Sequence, residues 1–152
     1  MCEKISIPNE TMLPQVALML AEGNSVILLT RGNSMLPFII GDRDSVELAA
    51  RPEYRTGDIV LAQVGDNRWV LHRLIGVSGE KVLLKGDGNL DGTENCALQD
   101  IAGAVRCIIR GNGRKVDVTT PTFVRRSCRW RKLPRTVRRY TLGILRRVIR
   151  FI

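Results

Sequence analysis

Three short segments place a hydroxyl, an imidazole and a carboxylate beside strand-like runs. The first is Arg31-Gly32-Asn33-Ser34-Met35-Leu36-Pro37. Glycine lets the chain turn sharply, and proline fixes its exit. A serine in such a loop can present its hydroxyl while backbone N–H groups converge on one point, as acyl transfer requires. The plainer alternative is a serine that only makes the turn. The second segment is Trp69-Val70-Leu71-His72-Arg73-Leu74-Ile75-Gly76, which holds the chain's only histidine. In a strand, His72 shares a face with Val70 and Leu74, while Leu71, Arg73 and Ile75 take the other. Such a histidine is either a hydrogen-bonded core residue or a general base held rigidly on a strand. The third segment is Lys85-Gly86-Asp87-Gly88-Asn89-Leu90-Asp91. It reads as a hairpin turn or as the source of a carboxylate that orients the imidazole. A calcium loop is excluded by the missing remainder of that motif. Taken together, Ser34, His72 and Asp87 supply nucleophile, base and orienting acid, the set that triad chemistry needs.

These residues must be positioned by a β framework. After Gly23 the chain breaks into short β-rich runs: 25–30, 45–48, 58–64, 69–77, 81–84, 104–109 and 115–118. Turn residues separate them, among them Gly41-Asp42, Gly57-Asp58, Gly65-Asp66-Asn67, Ser78-Gly79 and Gly111-Asn112-Gly113. The expected fold is mainly β: a coiled antiparallel sheet or partly closed barrel, with a short N-terminal helix and a cationic C-terminal helix. Residues 9–22 form the first helix, with Pro14 suited to its first turn and Gly23 as its stop. Its many apolar residues, including Leu13, Val16, Leu18, Met19 and Leu20, pack on the sheet or dock a partner. Residues 121–134 read as basic and irregular. From Arg135, Val137, Tyr140, Ile144, Val148 and Phe151 recur at helical spacing among six arginines.

Composition narrows the class. The chain has 152 residues, enough for one domain with its own core. It lacks a run of about 18 apolar residues, so no transmembrane helix is expected. The start, MCEKISIPNE, does not read as a secretory signal. Cys2, Cys96, Cys107 and Cys128 lack metal-ligand or pairing patterns, so reduced thiols and no metal site are expected. All 15 acidic residues lie in residues 1–120, with 13 of the 24 basic ones. Residues 121–152 hold the other 11 basic residues and no acid. The expected organisation is therefore a catalytic β domain over 1–120 and a basic amphipathic tail over 121–152. Such asymmetry points to a polyanionic partner.

The ordered boxes also resemble the signal-peptidase and SOS-repressor superfamily of serine peptidases. Gly32-Asn33-Ser34-Met35-Leu36-Pro37 is similar to its nucleophile box, Gly41-Asp42 with Val46 to the strand that follows, and Gly57-Asp58-Ile59-Val60 to its GDIV strand. Val70-Leu71-His72-Arg73-Leu74-Ile75-Gly76 resembles the general-base box, and Lys85-Gly86-Asp87-Gly88-Asn89 the late acidic box. The resemblance spans residues 24–107. It implies a signal-peptidase-like β fold and a serine endopeptidase of the Ser-His type, since a histidine replaces the commoner lysine. Ser34 is then the nucleophile, His72 the base and Asp87 the orienting carboxylate. The family's later acidic position falls on Thr93, with Asp91 and Glu94 on either side. Gly32 offers no hydroxyl to an oxyanion hole, which leaves the Ser34 N–H with Asn33 as its support. Met35, beside the nucleophile, is the expected substrate contact.

The resemblance further implies a leader or precursor peptide as substrate, and no metal or organic cofactor. Without the superfamily's usual N-terminal anchor, a cytoplasmic location is expected, peripheral on the inner membrane face through the basic tail. The rival readings are a peptide- or DNA-binding regulator that keeps the fold without the activity. DNA suits the charge of the tail, but no helix-turn-helix precedes the β domain.

Overall fold

Alternation along the strands leaves both faces of one sheet to be buried, and the chain covers them by curling the sheet and packing helices on it. The computed structural model describes residues 9–151. The readings of Cys2 and of the chain's start fall on residues 1–8, outside the described residues. The helix α1 (Asn9–Ala21) is followed by β1 (Val26–Leu29), β2 (Ser45–Ala49), β3 (Ile59–Gln63), β4 (Trp69–Ser78) and β5 (Lys81–Lys85). Then come β6 (Glu94–Ala97), a 3₁₀ turn (Leu98–Asp100), β7 (Ile101–Ile109), β8 (Lys115–Asp117), α2 (Pro121–Lys132) and α3 (Arg135–Arg150).

The eight strands form one antiparallel sheet in the order β1-β2-β7-β3-β4-β5-β6, with β8 also on β7. It is curled into a half-barrel, as the sequence leads one to expect. Breaks in register at Glu47/Leu48, Leu61/Ala62 and Leu74/Gly76 supply local bends. Strand β3 shows how both faces are filled. Ile59 and Leu61 enter one apolar cluster, while Val60 and Ala62 enter the other with Leu74, Val82 and Leu84.

Helix α1 buries Leu13, Val16 and Leu20 against the first cluster and leaves Leu18 and Met19 outside. Pro14 lies inside this helix and not in its first turn. Two other expectations are corrected. Residues 121–132 are helical, not irregular: the Thr120 hydroxyl caps the start by accepting from Phe123 N–H, and Pro121 suits the first turn. Phe123, Ser127 and Trp130 then fall on one buried face. Strand β6 is an element that the reading of β-rich runs omits. Its sequence, Glu-Asn-Cys-Ala, has neither β-branched residues nor apolar alternation, and it pairs only along β5.

Residues 121–151 are not detached from the body. Phe123 and Trp130 of α2 and Leu142 of α3 belong to the same cluster as Leu13, Leu36 and Val46. Phe38 and Phe123 meet edge to face, 5.4 Å between centroids.

Candidate active site

The β1 end of the curled sheet and the first half of the inner strand β4 define a cleft. Strand β1 ends the sheet and pairs only with β2. Strand β4 pairs with β3 throughout Trp69–Arg73, but β5 joins it only from Arg73 onward. Both β1 and the first half of β4 therefore keep one edge without a strand partner among the described residues. A cleft of about 160 Å³ lies between them, bounded by Leu28–Arg31 on one side and Trp69–His72 on the other. Ser34 and His72 both line it, and Leu13, Met35, Ile39 and Leu61 give it apolar walls.

The Ser34 loop is held from two sides. On one, Asp44 is buried, and its carboxylate accepts from Ile40 N–H at 2.9 Å and from Arg110 Nη1 at 2.8 Å. Arg110 Nη1 also donates to Phe38 O at 2.7 Å, and Thr30 Oγ1 to Asp44 O at 2.7 Å. On the other, the late glycine-rich box packs flat against the loop. Gly88 N–H donates to Ser34 O at 2.8 Å. A Cβ at Gly86 would stand 2.4 Å from Ser34 O, and one at Gly88 would stand 2.5 Å from Asn33 O, so only glycine permits this approach. The backbone N–H of Ser34 donates to no acceptor among the described residues. Asn33 is exposed and does not line the cleft, whereas Met35 is buried in its wall.

His72 is buried, and its Nδ1 lies 2.6 Å from Glu94 Oε2. The other carboxylate oxygen accepts from Arg68 Nη2 at 2.9 Å. In the tautomer that donates Nδ1–H to this carboxylate, Nε2 is the acceptor nitrogen. Neither Ser34 Oγ nor His72 Nε2 bonds a protein group among the described residues.

The carboxylate on His72 is therefore Glu94 and not Asp87. Strand register explains the exchange. Leu74 sits opposite Leu84, and Leu84 opposite Glu94, so all three point to the face that His72 occupies. Arg73 sits opposite Lys85 on the reverse face, and Asp87 follows two residues on. There Asp87 takes Arg73 Nε and Nη2 in a forked pair at 2.6–3.1 Å, fully buried, while Arg73 Nη1 donates to Gly57 O. Trp130 Nε1 donates to Asp87 O at 2.9 Å, which ties α2 to the same loop. Asp91 lies on the surface and pairs with Arg135. Glu94 is the residue that sequence reasoning left unassigned; the signal available was its single-residue offset from the family's later acidic position at Thr93.

No protein-family model matches the chain, and no curated protein matches it.

Proposed function

We propose that the protein is a serine endopeptidase of the signal-peptidase-like kind, acting on a leader or precursor peptide through Ser34, His72 and Glu94. One observation carries the reading: Ser34 and His72 line one cleft, while His72 Nδ1 is held by Glu94. The unpaired edges of β1 and β4 suit an extended peptide between them, which would complete both ladders. The apolar walls and small volume favour one small-to-medium aliphatic side chain next to the scissile bond.

In this reading Ser34 Oγ attacks the carbonyl carbon and its proton passes to His72 Nε2. The oxyanion takes the Ser34 N–H. The C–N bond breaks as Nε2 gives the proton to the leaving amine. Water, deprotonated by the same nitrogen, then cleaves the acyl ester and restores the hydroxyl. Glu94 keeps Nδ1–H in place and stabilises the imidazolium, remaining ionised throughout.

The test is labelling of the full chain with a fluorophosphonate, followed by peptide mass analysis. The adduct is expected on Ser34, absent in Ser34→Ala and slowed at least about 10³-fold in His72→Ala. Labelling elsewhere, or undiminished labelling of His72→Ala, would refute the assignment.

A further inference from the structure

Helix α3 presents two apolar faces, and only one is used by the fold. With 100° per residue, Leu142, Leu145 and Ile149 fall within an arc of about 60°, and this is the inward side. Leu142 is fully buried and the other two are half-buried. Val137, Tyr140, Ile144, Val148 and Phe151 occupy a separate arc of about 80°. All five are exposed, Tyr140 by 74%, Ile144 by 62% and Phe151 by 91%. Beside that stripe stand Arg139, Arg147 and Arg150, all exposed, whereas Arg146 lies nearer the inward side and donates to Gly88 O at 3.3 Å. Between Arg139 and Arg147 the surface dips at Gly143 into a trough of about 470 Å³, floored by Ile144 and bordered by Tyr140. Nothing stands within 4 Å of where a Gly143 side chain would begin.

The charge decides what covers the stripe. Residues 121–152 contain 11 basic residues and no acid. Among the described residues, Arg135 alone of these pairs with a carboxylate. A second copy would bring an identical cationic face against this one. Duplex DNA would match the charge but leave the five apolar side chains in water. An anionic bilayer surface satisfies both, since its phosphates meet the guanidinium groups while its acyl region takes the aliphatic and aromatic side chains. No helix among the described residues is long and apolar enough to cross a membrane.

We infer that α3 is an interfacial helix that seats the protein on anionic lipid through the Val137–Phe151 stripe and its arginine border. The inference is independent of the peptidase reading, because no residue of α3 lines the Ser34 cleft.

Co-sedimentation of the full chain with phosphatidylcholine vesicles, with and without phosphatidylglycerol, tests it. Expected are binding to the anionic vesicles that weakens with salt, and little binding to the neutral ones. Tyr140→Ser/Ile144→Ser/Phe151→Ser removes exposed groups only and is expected to weaken binding at least about tenfold. Arg139→Gln/Arg147→Gln is expected to weaken it by about 30-fold at low salt. Tyr140→Trp adds an exposed indole to Trp69 and Trp130: its emission, taken as the difference from the parent, is expected to shift to the blue on anionic vesicles alone. Fluorophosphonate labelling of all these variants should match the parent. Equal binding to neutral vesicles, or undiminished binding of the triple serine variant, would overturn the inference. So would self-association or duplex binding in place of vesicle binding.

Discussion

Replacing Glu94 and Asp87 one at a time separates two carboxylates that the sequence places within seven residues of each other. Glu94→Gln keeps the size of the side chain and removes the charge facing His72 Nδ1. The amide can offer its own N–H to that nitrogen, which favours the tautomer with the proton on Nε2, the wrong one for a base. Loss of the equivalent carboxylate in triad enzymes lowers turnover about 10⁴-fold. The same loss is expected here in fluorophosphonate labelling and peptide cleavage. The fold should hardly notice: Glu94 is partly exposed, and its ion pair with Arg68 lies at the surface, worth about 1 kcal/mol or less. Asp87→Asn should do the reverse. Both side chains of the Asp87–Arg73 pair are 2% exposed, and Arg73 would keep only Gly57 O as an acceptor. Breaking a buried pair by removing one partner costs about 3–5 kcal/mol. At about 2–4 °C per kcal/mol for a chain of this size, the Tm should fall by about 6–20 °C. Residual activity should survive at temperatures where Asp87→Asn stays folded. The reasoning is refuted if Glu94→Gln labels within about tenfold of the parent. It is refuted equally if Asp87→Asn keeps its Tm but loses labelling, since Asp87 would then act on the chemistry and not on the fold.

The exchange of those two carboxylates shows where sequence reading succeeds and where it stops. That Ser34 and His72 stand beside strands that could bring them to one cleft is legible because their segments carry strong local signals: a Gly-Asn turn closed by proline, and an alternating apolar strand. The coiled antiparallel sheet was legible for the same reason. Glu94 was not, because its strand is four residues long, polar, and defined only by pairing along β5. Once β6 is absent from the reading, nothing connects Glu94 to the face that His72 occupies. Asp87 looked better placed because it follows a clear strand, yet the alternation that aims His72 inward aims Arg73 the other way, and Asp87 goes with Arg73. The glycines of that box read as a turn in the sequence, although they serve close packing on Ser34 and Asn33, a contact between segments some fifty residues apart. The helix over 121–132 is hidden in a similar way. Its charge was conspicuous, but Phe123 and Trp130 are single aromatics among arginines, and their burial depends on a groove that only the folded sheet provides.

Two further outcomes follow from that packing. Gly88→Ala sets a methyl group 2.5 Å from the Asn33 carbonyl, so the Ser34 loop must move. Fluorophosphonate labelling is expected to fall by about 10²-fold, as small displacements of reacting groups do, with unchanged labelling as the refuting result. The second concerns the chain ending at Thr120, which a detachable tail would leave folded and active. Truncation there removes Phe123 and Trp130, both 6% exposed, and Leu142, 1% exposed. It also opens the cluster that holds Leu13, Leu36 and Val46 and deletes the hydrogen bond from Trp130 Nε1 to Asp87 O. Emptying one such aromatic site by alanine costs about 3–5 kcal/mol, and domains of this kind are stable by about 5–15 kcal/mol in all. Losing two aromatics and a leucine together should exhaust that margin. The truncated chain is expected to lose cooperative thermal unfolding, whereas Trp130→Phe, which keeps an aromatic ring but loses the donor and part of the buried volume, should lower the Tm by a few degrees. A truncated chain that still unfolds cooperatively near the parent Tm would show that α2 and α3 merely rest on the body.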